Sequence, residues 1–203
     1  MPINDSKDFT IELEFLFEAR IRKALFDSLK GSDRVVVEEW RGWPIKTAKG
    51  RSEEHLFRRP FDLATFERKD RTLILTGYEV KGVDKVRKKA GVSYRYPSFG
   101  EGLDQALVLL HQGADFSYLV HPEPKEDNVK AEMKSFLERF ASPIGLIFVT
   151  SEALQKQGYL FPYKQAERNY ADENEKRRLL TSLLSGGYFR EIHIVDWARK
   201  HEY

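Results

Sequence analysis

Two alternating apolar runs, FDLATFE at 61–67 and TLILTGYEV at 72–80, are parted only by a short polar stretch around Lys69 and Asp70. Strands that close in sequence leave no room for a crossover, so they must pair as an antiparallel hairpin. RVVVEEW (34–40) is a further β-branched run, set upstream across a polar loop from Arg41 to Arg59 that holds Gly42, Pro44 and Gly50. Ahead of it, Phe9, Leu13, Leu16, Phe17, Ile21, Ala24 and Leu25 recur at helical spacing over 8–29, and Gly31 follows as a stop signal.

Downstream, 101–113 reads as a short amphipathic helix, 116–120 as a strand and HPEPKED as a proline-bounded loop. The next helix, 129–141, is expected to turn Met133, Phe136, Leu137 and Phe140 inward, and IGLIFVT (144–150) reads as a strand buried on both faces. Residues 172–185 look helical, 185–187 form a turn and 188–197 a last strand. Helix, three strands, helix, strand, helix, strand and a C-terminal extension make an α/β fold, with a mixed sheet whose early strands form a meander. Without repeats or a long linker, 203 residues suit a single domain.

Several classes fall away. The chain has no cysteine, which removes disulfides, zinc-thiolate sites and cysteine nucleophiles. No window approaches 18 consecutive apolar residues and the first residues lack an apolar signal core, so the expectation is a soluble, cytoplasmic protein with no membrane partner. No glycine-rich phosphate loop, HExxH pair or GxSxG elbow is present.

Net charge conceals an asymmetry. Residues 41–95 carry 15 Lys and Arg against 7 Asp and Glu, a basic middle in an otherwise acidic chain. Such a segment suits a polyanionic partner, although charge runs are more often plain solvated surface.

Within this segment, Asp62 opens one strand of the hairpin while Glu79 and Lys81 close the other. Residues two apart on a strand share a face, so Glu79 and Lys81 point the same way. A turn centred on Lys69 and Asp70 sets residue 62 opposite residue 77, making Asp62 a diagonal neighbour of Glu79 at roughly 7–8 Å. Two carboxylates so placed can hold one Mg²⁺ ion, and the lysine could orient a bound water or stabilise charge on a phosphate under attack. Glu-x-Lys alone is weak, since it occurs at 67/69, 79/81, 123/125 and 132/134. Only the 79/81 pair ends an apolar strand, follows an Asp on the paired strand and leads into the basic stretch. The plain alternative is a solvent-facing strand edge.

Pro60-Phe61-Asp62 followed by Glu79-Val80-Lys81, on the second and third strands after a helix, resembles the metal motif of the PD-(D/E)XK nuclease superfamily. That family includes restriction endonucleases and archaeal Holliday junction resolvases. The resemblance covers roughly residues 8–120 and implies a restriction-endonuclease-like core, α-β-β-β-α-β with a mixed central sheet flanked by helices. Residues 121–203 would then be a C-terminal α/β extension within a single nuclease-like domain, 1–203. It implies that Asp62 and Glu79 bind Mg²⁺ (with Mn²⁺ as the alternative ion) and that Lys81 assists the attacking water. A further glutamate from the first helix is implied, with Glu12, Glu14 and Glu18 as candidates and Glu18 favoured; Glu14 and Glu18 would lie one turn apart on one face. Gln105 stands where some branches carry a site glutamine, but Leu109 replaces the tyrosine that the recombination-exonuclease branch adds four residues on.

Arg51, Arg58 and Arg59 before the metal strand, and Lys85, Arg87, Lys88, Lys89 and Arg95 after it, would grip DNA phosphates without reading sequence. Trp40 and Trp43 are candidates for stacking on bases, although loop or core anchoring is the commoner use. The resemblance implies a metal-dependent endodeoxyribonuclease acting as a homodimer. Two other readings stand beside it, a catalytically inactive nucleic-acid-binding module on the same fold and an interaction protein.

Overall fold

The structure is a computed structural model that describes residues 13–40, 60–88, 91–156, 160–186, 189–200 and 202–203. It is an α/β fold in which one mixed seven-stranded sheet is flanked by helices. The strands are β1 (Arg34–Trp40), β2 (Phe61–Lys69), β3 (Thr72–Val80), β4 (Asp84–Lys88), β5 (Gly91–Arg95), β6 (Phe116–Pro122), β7 (Ile144–Val149), β8 (Pro162–Lys164) and β9 (Glu191–His193). The helices are α1 (Glu18–Leu29), α2 (Leu103–His111), α3 (Asp127–Phe140), α4 (Ser151–Gln155), α5 (Glu173–Leu184) and α6 (Asp196–Arg199). The main sheet runs β8-β7-β6-β3-β2-β1-β9, and β4 and β5 form a separate two-stranded sheet. β1, β2 and β3 are an antiparallel meander, whereas β6 and β7 continue parallel to β3.

Side-chain alternation along β1 sorts the core into layers. Val36 packs with Ile21, Leu25 and Phe26 of α1, together with Leu63, Tyr78, Val80 and Val120, on one face. Val35 and Val37 face the other side, where Phe66, Leu73 and Leu75 meet Leu109 of α2 and Leu179, Leu180 and Leu183 of α5. Further along that face Leu119, Ile144 and Leu146 are covered by Ala106 of α2 and by Met133 and Leu137 of α3. Each fully buried Leu, Ile or Phe contributes about 1.5–3 kcal/mol, and these two layers fix the sheet between them.

The hairpin departs from its expected register. Lys69 pairs with Thr72 and Leu63 with Tyr78, because only Asp70 and Arg71 turn the chain and Asp70 takes a left-handed φ of 56°. Asparagine and aspartate tolerate that region, so the turn centres one residue later than Lys69 and Asp70, and each cross-strand partner moves on by two.

The first helix is not continuous over 8–29. Residues 13–15 are helical, but Phe17 is extended (φ −66°, ψ 138°) and α1 starts at Glu18; residues through Glu12 lie outside the described ones. The break docks on the β3–β4 connection, where the Val83 N–H donates to Leu16 O at 2.8 Å. A Cβ at Gly82 would lie 2.1 Å from Glu18 N, so glycine is what allows this backbone-on-backbone approach.

Other expectations are also revised. The basic stretch after Lys81 forms the β4–β5 hairpin. On α3, Met133 and Leu137 are buried, but Phe136 and Phe140 are exposed, since a helix lying on a sheet buries only one narrow stripe. The last strand shrinks to Glu191–His193, which pairs with β1, and the chain then turns into α6. Trp40 is buried against Phe61 and Phe66 and has no face for a base, while Trp43 lies outside the described residues. Phe161 and Tyr170 are exposed, Tyr163 on the edge strand β8 is partly exposed with its ring against Phe148 of β7 at 5.0 Å, and Tyr159 lies outside the described residues.

The C-terminal segment is tied in by a buried ion pair. Asp115, which precedes β6, and Lys176 of α5 meet at 2.8 Å with almost no exposure. The same Asp115 oxygen accepts the Leu75 N–H at 3.0 Å. Among the described residues no helix is long and apolar enough to cross a membrane.

Candidate functional site

Asp62, Glu79, Lys81, Glu18 and Gln105 come together at the end of β3. Continuing the β2–β3 register by one residue sets Asp62 directly across from Glu79. Directly opposed residues have Cβ atoms about 5 Å apart, closer than the diagonal that the sequence suggested. The Asp62 carboxylate is oriented by the backbone, its Oδ2 accepting the Val80 N–H at 2.8 Å.

Lys81 lies between two oxygen acceptors, with its Nζ 2.7 Å from Glu79 Oε1 and donating to Gln105 Oε1 at 2.8 Å. Gln105 reaches it from the first turn of α2. The adjoining residue, Gly102, has φ 98°, and a Cβ there would meet Lys81 Cε at 2.5 Å. The lysine stem therefore lies against bare backbone, which restricts where its ammonium can go. An ammonium has three donors, and these two bonds use two of them.

Glu18, the first residue of α1, is brought to the site by the chain break at Phe17. Its Oε1 lies 3.3 Å from Arg22 Nη1, one turn on. Glu14 is not on the same helical face, since the break intervenes, and it pairs instead with Lys85 at 3.4 Å.

Burial and mutual repulsion dominate the electrostatics. Loss of solvent, then the charge of Asp62, pushes the Glu79 carboxyl up to about 8 even with Lys81 beside it. Burial likewise raises Asp62, and burial followed by the charge of Asp62 raises Glu18. Three carboxylates thus share a partly dry site with more negative charge than it comfortably holds, the condition a cation relieves.

Arg22 was not singled out by the sequence, yet its guanidinium lies among four carboxylates. It is 2.7 Å from Glu39, 3.3 Å from Glu18, and 3.7 Å from both Glu38 and Asp62. Glu38 is buried at the end of β1, and Glu39 takes a left-handed φ of 50° that helps bring it to Arg22. Arg190, from the C-terminal segment, reaches the same two glutamates at 3.6 and 3.4 Å. The sequence offered only a weak signal, the i+4 spacing of Arg22 from Glu18, since a charged residue next to Ile21 can still face solvent.

The basic residues divide. Arg95 is held by Asp84 at 2.7 Å and Glu101 at 3.1 Å, and Lys85 by Glu14, whereas Arg87 is exposed on β4. Arg51, Arg58, Arg59 and Lys89, with the side chain of Lys88, lie outside the described residues.

As a metal site the donor set is a pair of opposed carboxylates, Asp62 and Glu79, with Glu18 close by. Among the described residues no group of three or more His, Asp or Glu side chains is arranged to hold a metal ion. The pair fits an ion that keeps most of its own waters, as Mg²⁺ does, better than a closed cage. Comparison with protein-family models, curated proteins and solved structures finds no match.

Proposed function

We propose that the protein is a metal-dependent nuclease of the restriction-endonuclease-like type that hydrolyses DNA phosphodiester bonds. The observation that carries this reading is the juxtaposition of Asp62 and Glu79 across β2–β3 with the Lys81 ammonium 2.7 Å from Glu79. The element order supports it: a helix, an antiparallel meander, a helix and a strand parallel to β3 are what the PD-(D/E)XK resemblance implies.

Asp62 and Glu79 would hold Mg²⁺ or Mn²⁺, with Glu18 contributing through water, and the bound ion would supply positive charge to the phosphate and to the attacking water. Lys81, steered by Gln105 and Glu79, places its remaining N–H donor toward that water or a phosphate oxygen. The Val80 N–H holds Asp62 in place. The exposed cations of the β4–β5 hairpin, Arg87 foremost, engage the backbone of the DNA. On duplex DNA two such sites are needed, so a homodimer is the working assembly, to be checked by sedimentation.

The second reading, a nucleic-acid-binding module without catalysis, is favoured by Arg22 and Lys81 together, because both lie against the carboxylates that a metal would need and offset part of their charge. One assay separates the two. Plasmid, single-stranded and four-way-junction DNA are incubated with Mg²⁺, Mn²⁺ or EDTA and with native, Glu79→Ala or Lys81→Ala protein. Metal-dependent cleavage lost in both variants is the expected result. Salt-sensitive binding that ignores Mg²⁺, without cleavage, would establish the second reading.

A further inference from the structure

α3 carries an aromatic face that the sheet does not use. Val129, Glu132, Met133, Phe136, Arg139 and Phe140 follow one another at helical spacings of three and four, so they share one side of the helix. Met133 is buried, but Phe136 is 44% and Phe140 65% exposed, which leaves roughly 200 Å² of aromatic surface in water. The rings form a run, Phe99 meeting Phe136 at 5.8 Å between centroids and Phe136 meeting Phe140 at 5.0 Å. At the Phe99 end the run opens into an apolar hollow of about 350 Å³ that Tyr96, Phe99, Val129 and Met133 help to line.

The charges on this helix divide in the same way. Off the aromatic face they pair locally, Lys130 with Asp127 at 2.6 Å and Lys134 with Glu138 at 3.8 Å. Glu132 and Arg139, on the face, are exposed. The helix residues three and four places from them are Asn128, Val129, Ser135 and Phe136, all uncharged, so neither has a partner on its own helix. The Arg139 guanidinium instead lies over the Phe140 ring, 5.1 Å from its centroid.

This face is complementary to itself. Glu132 lies three residues before Ser135 and Arg139 four after it, while Val129 lies six before and Phe140 five after. Two copies of α3 packed antiparallel about a two-fold axis at Ser135 would set Glu132 of each beside Arg139 of the other. The same packing would bring Phe140 of each to the other's hollow at Val129 and Met133. We propose that this face of α3 is the contact between two copies of the chain, with Phe140 seated in the hollow and Glu132 paired with Arg139 on both sides of the axis. Opposite signs at matching distances from Ser135 favour a second copy over an unrelated partner, and isologous pairs are the commonest oligomers. A standard interface takes about 800 Å² from each partner, as an apolar core within a polar rim. Phe136, Phe140 and the hollow supply that core, and Glu132 and Arg139 belong to the rim. The contact gives an interface to the homodimer of the nuclease reading, and rests on that reading for what the pair does.

Sedimentation velocity of the full chain under charge reversal is the test. The native protein is expected to dimerise at micromolar concentration. Glu132→Arg and Arg139→Glu each set like charges together at both ends of the contact, so each alone should weaken the dimer roughly tenfold or more. Mixed in equal amounts, the two variants face each other with opposite charges throughout and should regain roughly native affinity, a recovery that damage to folding would not give. Phe140→Ser, at an exposed position, should be monomeric yet melt with the native protein. A native protein that stays monomeric at high micromolar concentration would overturn the inference and leave the face to another partner. A native dimer that neither reversal weakens, or a weakened one that mixing does not restore, would place the contact elsewhere and equally overturn it. Cleavage of single-stranded DNA, which needs no second site, reads the nuclease separately from either result.

Discussion

Substituting Gly82 by alanine tests the contact that brings the first helix to the site. The added methyl would lie 2.1 Å from Glu18 N, 2.5 Å from Glu18 Cα and 2.8 Å from Phe17 C. Favourable carbon contacts begin near 3.5 Å, so one backbone segment must retreat by roughly 1 Å or more. Neither is free to do so: the Val83 N–H is bonded to Leu16 O, and Ile21 and Leu25 anchor α1 in the core. Overpacking costs about 1–3 kcal/mol, and obstruction by main chain rather than by a flexible side chain puts this case near about 3 kcal/mol. For a domain of this length that is a fall in Tm of roughly 6–12 °C. Scanning calorimetry of Gly82→Ala against Gly100→Ala reads it, since a methyl at Gly100 meets nothing within 4 Å. A Gly82→Ala protein that melts within about 2 °C of both the native protein and the control would refute the close-approach argument. If the nuclease reading holds, a Glu18 displaced by about 1 Å also lowers the cleavage rate by up to roughly a hundredfold.

Three further outcomes are expected. Asp115→Ala leaves a lysine that is 1% exposed with Glu173, at 3.2 Å, as its remaining carboxylate and should cost about 3 kcal/mol in urea unfolding, while the Asp115→Asn, Lys176→Met double variant should recover most of it; equal losses would contradict the pairing. Glu79 has its folded pKa raised from 4.5 to about 8, so the stability linked to its proton is fully present below pH 4.5 and is lost as pH rises through about 8. Thermal melts of metal-free protein from pH 5 to 9 should show that decline, Glu79→Gln should flatten it, and identical profiles would count against the raised carboxyl. Arg22→Gln removes a cation 3.7 Å from Asp62 and 3.3 Å from Glu18, so Mn²⁺ titrated calorimetrically should bind several-fold more tightly; weaker binding would show that Arg22 positions the carboxylates rather than competing for them.

What the sequence made legible was decided by periodicity. Val35, Val36 and Val37 in β1 and the apolar run of β7 had no other stable use, and the short gap after Glu67 forced the hairpin. Its register was misjudged because sequence does not reveal which residue takes the left-handed turn, and Asp70 served where glycine is commoner. The break at Phe17 was hidden for a related reason: apolar residues continue at helical spacing through it, and the cause, Gly82, lies far along the chain. Phe136 and Phe140 were expected inside because periodicity reports a helix face but not how wide a stripe its neighbours cover. The Asp62, Glu79 and Lys81 set was readable as a motif, because alternation along paired strands converts spacing into geometry. Arg22, Glu38 and Arg190 were not, since charged residues read as surface until distant elements bring them together.

The pairing of β1 with β9 bears on how the chain acquires its structure during synthesis. Val36 has Thr65 on one side and His193 on the other. The inner partner emerges from the ribosome soon after β1, but the outer one, His193, follows Val36 by 157 residues. Closing so long a loop is slow, and the unpaired amides of β1 stay open to other chains in the interval. Slowed translation between the codons of β1 and those of β9 should prolong that exposure and raise aggregation, with no residue of the finished protein changed.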